Sequence, residues 1–438
     1  MAKPIVLHLG DDIRWNHDQY KKFQDAFDIR RSYSMSRPEF IRALKERQFG
    51  DFFAIYRPFW NTGGEMGNWD EELVSLLPNS CKIYASAGAG FDWVDTAALA
   101  KKGVIYCNAA AACTESVADA AIWLIISTFR LFSWSHIAAR TLDADAFVDA
   151  NRNLAMVSHN PNGHTLGIIG FGQIGRRTAE KAFLAMNMKI HYHDIVQMPA
   201  HLEAISKATY HKSMDSLLAV SDCVMVATPF SGETLLNASL LAKMKTGARL
   251  INIARGKLLD EKALVDALRS GKLAAAGLDV HYDEPNVSPE LAAMKNVEMM
   301  SHNAGASVDS HIGFERLASV ACDTPRQPSY LNPPSSFTTP GATAIMSGNQ
   351  ANNWITARQV LEQAIINLRD CIDHREILAS SPPVNLDEFE DLSTHIWETR
   401  VELAQQIRRF GDARSAAMLV NFYHRLIGTM PNNEGRIP

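Results

Sequence analysis

Short apolar runs alternate with segments whose apolar residues return every third or fourth position, from residue 5 to about residue 300. That alternation predicts strands and helices of parallel α/β layers. The first block reads as strand Ile5–Leu9, helices around Gln19–Phe27 and Pro38–Arg47, strand Phe52–Tyr56, helix Glu71–Leu77, strand Lys82–Ser86, helix Val94–Lys101 and strand Val104–Cys107. A long helical region from Ser116 to about Arg140 leads into a second block. Strands are expected there at Thr165–Ile169, Lys189–His193, Cys223–Ala227, Ala248–Asn252, Ala274–Leu278 and Val297–Met300, separated by helices. The expected fold is two doubly wound parallel-sheet domains, with a cleft between them where small-molecule sites tend to lie.

The pattern stops after a helix at Val308–Val320. Residues 323–352 are rich in Pro, Ser, Thr, Gly and Asn and read as a linker. Beyond it, residues 353–438 hold three amphipathic helices by pattern: one carrying Trp354, Leu361, Ile365, Leu368 and Ile372, a second carrying Ile396, Leu403, Ile407 and Phe410, and a third capped by Asp412 and stopped at Gly428. Arg400, Arg408 and Arg409 read as a solvated helix face rather than a contact for an anionic partner.

Between two of the expected strands lies Gly170-Phe-Gly-Gln-Ile-Gly175, and Asp194 ends the following strand nineteen residues later. Gly170 allows the tight turn, Gly172 lets backbone approach a pyrophosphate, and Gly175 lets the helix pack on the strand. Gln173 and Ile174 open that helix, where phosphates meet unpaired N–H groups, and the acid takes the ribose hydroxyls. Strand, loop, helix, strand and terminal acid together imply a dinucleotide. A carboxylate repels the additional phosphate of NADP, and Ile195, Val196 and Gln197 supply no Arg to hold it, so NAD is expected. His191 and His193 are explained by the strand they occupy rather than as metal ligands, and no metal is expected.

Composition adds bounds. A chain of 438 residues, 47% hydrophobic, can bury two or three cores, and a net charge of −5 favours neither nucleic acid nor an anionic membrane. The apolar start at Ile5–Leu9 is too short for a signal peptide, and the longest apolar run, Ala120–Ile126, is far short of a membrane span. Six cysteines without CxxC spacing read as thiols in a reducing compartment, which points to the cytoplasm.

Three consecutive strand ends carry reactive groups: Arg255 in Asn-Ile-Ala-Arg-Gly256, Glu284 in Gly277-Leu-Asp-Val-His-Tyr-Asp-Glu-Pro285, and His302 in Ser301-His-Asn-Ala-Gly305. A cation, an acid and an imidazole thus leave one sheet edge, where ligands of α/β proteins collect. With the glycine loop, Ser86-Ala-Gly-Ala-Gly-Phe-Asp-Trp-Val-Asp95 and Thr114-Glu-Ser-Val-Ala-Asp119, these segments resemble the NAD-dependent D-2-hydroxyacid dehydrogenase family. The fungal D-mandelate dehydrogenase-like branch is the nearest in pattern. The likeness covers roughly residues 1–322.

The resemblance implies a flavodoxin-like substrate domain over residues 1–110, completed by 304–322, and a Rossmann NAD domain over 111–303 through which members usually form homodimers. It implies His302 as general acid/base, Glu284 as the carboxylate that stabilises its imidazolium, and Arg255 as the clamp on the substrate carboxylate. Backbone N–H groups of Ala89 and Gly90 would hold the other side of that carboxylate. Asp279 would orient the nicotinamide carboxamide, with Thr228 and Thr114 as further cofactor contacts. A Glu rather than a Gln beside the His argues against formate as substrate. Glyoxylate, hydroxypyruvate, phenylpyruvate and benzoylformate stay open, and so does whether Phe52, Tyr56, Phe59 and Trp60 line an aromatic pocket or serve as core. Members normally close near residue 322. Ser381-Pro-Pro-Val-Asn-Leu386 is similar to their closing segment, so residues 323–380 read as an insertion: an appended helical module or, favoured, a mis-joined stretch of the gene model. The rival to an enzyme is an NAD-sensing, corepressor-like interaction protein.

Overall fold

A computed structural model describes residues 3–59 and 66–323, with side chains through Arg316. The expected linker, the helical tail and Trp60 lie outside the described residues. Among the described residues twelve strands form two parallel sheets. The first contains β1 (Ile5–Leu9), β2 (Asp28–Ser32), β3 (Ala54–Arg57), β4 (Ile83–Ser86) and β5 (Ile105–Cys107), in the order β2-β1-β3-β4-β5. The second contains β6 (Thr165–Ile169), β7 (Lys189–His193), β8 (Thr209–Tyr210), β9 (Cys223–Val226), β10 (Ala248–Asn252), β11 (Leu273–Leu278) and β12 (Val297–Met299), in the order β12-β11-β10-β9-β6-β7-β8.

The central strands β3, β4, β6, β9 and β10 are buried along their whole length. Strands covered on both faces are mostly apolar, so these appear in the sequence as apolar-rich runs, with Arg57, Ser86, Thr165, Arg249 and Asn252 as buried polar members. The edge strands β2 and β8 were not expected from the pattern. Asp28-Ile-Arg-Arg-Ser32 carries three charges, and β8 has only two residues, both devices that blunt an exposed sheet edge.

The expected long helix is two helices. Ala110–Arg130 stops at Leu131, which takes a left-handed φ of 50°, and Phe132–Arg140 begins immediately after it. Leu131 is buried, so packing holds a conformation that no glycine or proline signalled. A third helix, Ala144–Val157, follows. By length and composition alone the helix Ala110–Arg130 is apolar enough to cross a bilayer, but here it packs on the helix Gln173–Met186, on β10 and β11, and on the helix Val308–Asp323. That last helix returns to pack on β3 and β4 of the first sheet.

Candidate active site

Five strands of the second sheet end level with one another. Ile169, Val226, Asn252, Leu278 and Met299 are paired in register across β6, β9, β10, β11 and β12. The residues just past them therefore share one edge: Gly170, Thr228, Arg255, Asp279, Glu284 and His302.

At β6 the chain turns through Gly170, with φ of 93°. A Cβ there would sit 2.7 Å from the carbonyl oxygen of Ala227 and 2.9 Å from the nitrogen of Thr228, which places Thr228 against the loop. At Gly175 a Cβ would sit 2.2 Å from the carbonyl oxygen of Gly170, so only glycine lets the helix start this close to the strand. At Gly172 the same atom would meet nothing within 4 Å. The helix Gln173–Met186 has no side-chain cap, and Gln173 and Ile174 open its first turn. Uncapped N–H groups beside an open glycine face are what a pyrophosphate needs, and the residues fit a dinucleotide. Asp194, just past β7, accepts the N–H of Phe171 and of Ile195, each at 2.7 Å, which fixes its carboxylate beside the loop. The Thr114 hydroxyl donates within its own helix to Ala110, while its neighbour Glu115 pairs with Arg177 and Lys181 of the nucleotide helix. His191 hydrogen-bonds His211 at 2.8 Å, and His193 bonds the His211 carbonyl.

The three reactive groups are organised by local bonds. Buried Asn252 donates to the carbonyl of Arg255 at 2.7 Å and accepts the N–H of Ala254 at 3.0 Å, which shapes the loop after β10. Gly256 lets that loop lie on the backbone of the loop after β11, because a Cβ would fall 1.9 Å from the His281 carbonyl oxygen. Glu284 uses both oxygens: Oε1 accepts the His281 N–H at 2.8 Å and Oε2 bonds His302 Nδ1 at 2.6 Å. Burial acts to raise the carboxyl of Glu284, but the hydrogen bonds from His302 and the His281 N–H outweigh it and hold it below the usual glutamate range. Asp279 is buried, and burial pushes its carboxyl up. Its Oδ1 accepts the N–H groups of Asn303 and Ala304, and its carbonyl accepts that of His302. His302 itself has φ of 53°, so Asp279 clamps a left-handed turn that presents the imidazole.

The first sheet supplies the opposite wall through the turn after β4. Ala89 and Gly90 lie there, tied down by Asn108, which donates to the Ala89 carbonyl at 2.8 Å. Arg255 reaches across to this turn. Its Nε and Nη2 are each 2.8 Å from Asp92 Oδ1, and Nη1 donates to the Ala254 carbonyl at 2.7 Å. A Cβ on Gly90 would overlap Nη2 at 1.6 Å, so the guanidinium rests on bare backbone.

Of the aromatic candidates, Phe52 and Tyr56 belong to the core of the first domain. Phe59, just past β3, is also fully buried and meets Trp15 and His311 at ring distances of 6.4 and 6.0 Å. Sequence reasoning missed Trp15 and His311, and also Glu315, which fixes the turn that bears Trp15. Buried Glu315 accepts the N–H groups of Arg14 at 2.7 Å and Asn16 at 2.8 Å, and the Asn16 side-chain amide at 2.9 Å. The Asp92 partner of Arg255 lay inside a quoted motif without a role. Among the described residues no group of three or more His, Cys, Asp or Glu is placed to hold a metal ion.

The chain is similar to known proteins. The family model described as "D-isomer specific 2-hydroxyacid dehydrogenase, NAD binding domain" matches residues 122–304. The chain is 34% identical over 317 residues to 4-methyl-2-oxopentanoate reductase A of Aspergillus oryzae, covering 72% of this chain and 92% of that one. It is 32% identical over 324 residues to glyoxylate reductase 1 of Saccharomyces cerevisiae, covering 72% and 89%. Among solved structures, the holo form of Rhodotorula graminis D-mandelate dehydrogenase superposes with a TM-score of 0.72 at 39% identity, covering 74% of this chain and 94% of that one.

Proposed function

This chain belongs to the D-isomer specific 2-hydroxyacid dehydrogenase family, and from that premise we propose that it interconverts 2-oxoacids and D-2-hydroxyacids through His302, Glu284 and Arg255. It is an NAD-dependent oxidoreductase, as the family is. The observation that carries the assignment of residues is Glu284, one carboxylate joined to both the His281 N–H and His302 Nδ1 at the edge where the nucleotide loop also opens.

With Nδ1 engaged, Nε2 of His302 is the nitrogen that gives a proton to the 2-oxo oxygen in reduction and removes it from the hydroxyl in oxidation. Glu284 balances the charge that His302 acquires. Arg255 takes the substrate carboxylate in a fork of two N–H groups, and the backbone N–H groups of Ala89 and Gly90 meet its other side. Bound NADH supplies the hydride for C2. Gly170, Gly172, Gln173, Ile174, Gly175 and Thr228 hold its phosphates, Thr114 adds a contact from the connecting helix, and Asp279 orients its carboxamide. Asp194 selects NAD over NADP by accepting the ribose 2′-hydroxyl.

Trp15 follows β1 and buried Phe59 follows β3, on the edge that also bears Ala89 and Gly90, and His311 of the helix Val308–Asp323 meets both rings; this group supports substrates with a bulky apolar side chain. Two of the similar proteins are named for such acids, 4-methyl-2-oxopentanoate in one and mandelate in the other, and a third is named for glyoxylate. A homodimer is part of the same reading. Ile137, Leu142, Phe147, Met156 and Val157 expose apolar surface on the helices that follow Leu131, Leu142 at 94% and Met156 at 82%. A cytoplasmic location belongs to the same reading and is supported by Cys81, Cys113 and Cys223, which are in no disulfide among the described residues.

The test is consumption of NADH, read from the absorbance of the reduced nicotinamide, with a panel of 2-oxoacids and with His302→Ala. Turnover with a branched or aromatic oxoacid, reduced about a thousandfold in the variant, is expected. NADH binding without turnover of any oxoacid would replace the enzyme with an NAD-sensing interaction protein.

A further inference from the structure

The carboxylate clamp has a partner in the opposite sheet. Asp92 leaves the turn after β4, Arg255 leaves the end of β10, and their ion pair joins these two walls of the cleft. Oδ1 of Asp92 takes the Nε and Nη2 side of the guanidinium, Ala254 takes one Nη1 hydrogen, and Gly90, which has no Cβ, makes room for Nη2. A guanidinium has five N–H donors. Three are thus engaged, and one remains on each of Nη1 and Nη2, the fork that matches the two oxygens of a carboxylate. The side chains of Asp92 and Arg255 are 29% and 26% exposed, so the pair is partly desolvated and its charge is felt locally.

We propose that Asp92 is the positioning residue for Arg255 and that it sets the site's preference for singly charged 2-oxoacids; this rests on the functional reading above. Asp92 fixes which edge of the guanidinium faces the substrate, and so the direction in which C2 is presented. It also cancels the charge of Arg255, so the clamp offers geometry rather than a surplus of positive charge. A monocarboxylate completes that arrangement. A second carboxylate on the ligand meets Asp92 at short range and is disfavoured.

The experiment compares wild type, Asp92→Asn and Asp92→Glu. It reads kcat and KM for the preferred 2-oxoacid, NADH affinity, and inhibition by oxamate, a monoanion, and oxalate, a dianion. Asp92→Asn removes the charge and keeps the shape. Its kcat is expected to fall about tenfold or more, because the substrate is no longer held in line. Inhibition by oxalate relative to oxamate should strengthen about five- to tenfold, because the opposing charge is gone. Asp92→Glu keeps the charge at the wrong distance, so kcat should fall while the oxalate-to-oxamate ratio stays near that of wild type. NADH affinity should be unchanged in both, which shows that the nucleotide domain is folded. Wild-type turnover together with an Asp92→Asn protein of normal kcat and unchanged inhibitor ratio would overturn the role of Asp92 and leave the enzyme reading intact. Absence of turnover in wild type would overturn the enzyme reading, and the role of Asp92 with it.

Discussion

Gly256→Ala tests whether the loops bearing Arg255 and Glu284 work as one packed unit. The added Cβ would fall 1.9 Å from the His281 carbonyl oxygen, where ordinary contact begins near 3.4 Å. The gap is about 1.5 Å, and the atom in the way is backbone, so no side chain can swing aside. The backbone of the loop after β10 must therefore move away from the loop after β11. Overpacking of this kind costs about 1–3 kcal/mol of stability. Its larger effect is on chemistry, because Arg255 is the preceding residue and Glu284 lies three residues past His281. Displacing a clamp by about 1 Å lowers turnover roughly a hundredfold. The expected result is a kcat/KM about a hundredfold below wild type with NADH affinity within a few-fold, since the glycine loop stands on β6. Steady-state kinetics and a fluorescence titration of NADH supply both numbers. A Gly256→Ala enzyme with kcat/KM within threefold of wild type would refute the claim that this contact positions the site.

Two substitutions in the nucleotide loop should separate binding from folding: Gly172→Ala has open space and should weaken NADH about tenfold with an unchanged melting temperature, whereas Gly175→Ala meets the Gly170 carbonyl and should lower both. Glu284→Gln should reduce kcat/KM about a hundredfold, measured at neutral pH. Its effect on stability has a definite sign: the folded state holds the Glu284 carboxyl below its ordinary value of 4.5, so its contribution is present above that pH and lost as pH falls through the lower folded value. Urea melts of wild type and Glu284→Gln should therefore converge as pH falls below 4.5 and through the lower folded value; parallel curves down to the acid end would rule out the linkage. Glu315→Ala leaves the N–H groups of Arg14 and Asn16 without their buried acceptor and should cost about 3 kcal/mol, read by the same melts. It should also raise KM more for bulky oxoacids than for glyoxylate, because Trp15 loses its anchor; equal changes would place the aromatic group outside the substrate pocket.

The distance between what the sequence discloses and what it hides follows sheet geometry. Buried parallel strands are apolar along most of their length, so β3, β4, β6, β9 and β10 are visible as apolar-rich runs. The edge strands β2 and β8 escape for the converse reason, since an edge survives by being charged or short. Leu131 shows a third case: its left-handed turn divides a continuous helical pattern, and only its burial accounts for it. The site divides in the same way. Arg255, Glu284 and His302 could be grouped from sequence because parallel strands in register end together, so a residue's position after its own strand gives its place along the edge. No register relates one sheet to the other. Asp92 meets Arg255 across 163 positions, and Glu315 meets the Arg14–Asn16 turn across about three hundred, through tertiary packing alone. Both are carboxylates, the residue type whose sequence context says least about its partner, because a solvated surface acid and a buried acceptor look alike in the chain. What distinguishes them is the donors they meet. For Asp92 those are the N–H groups of a guanidinium already set against Gly90, so its part in the clamp exists only once both sheets have folded and closed on each other.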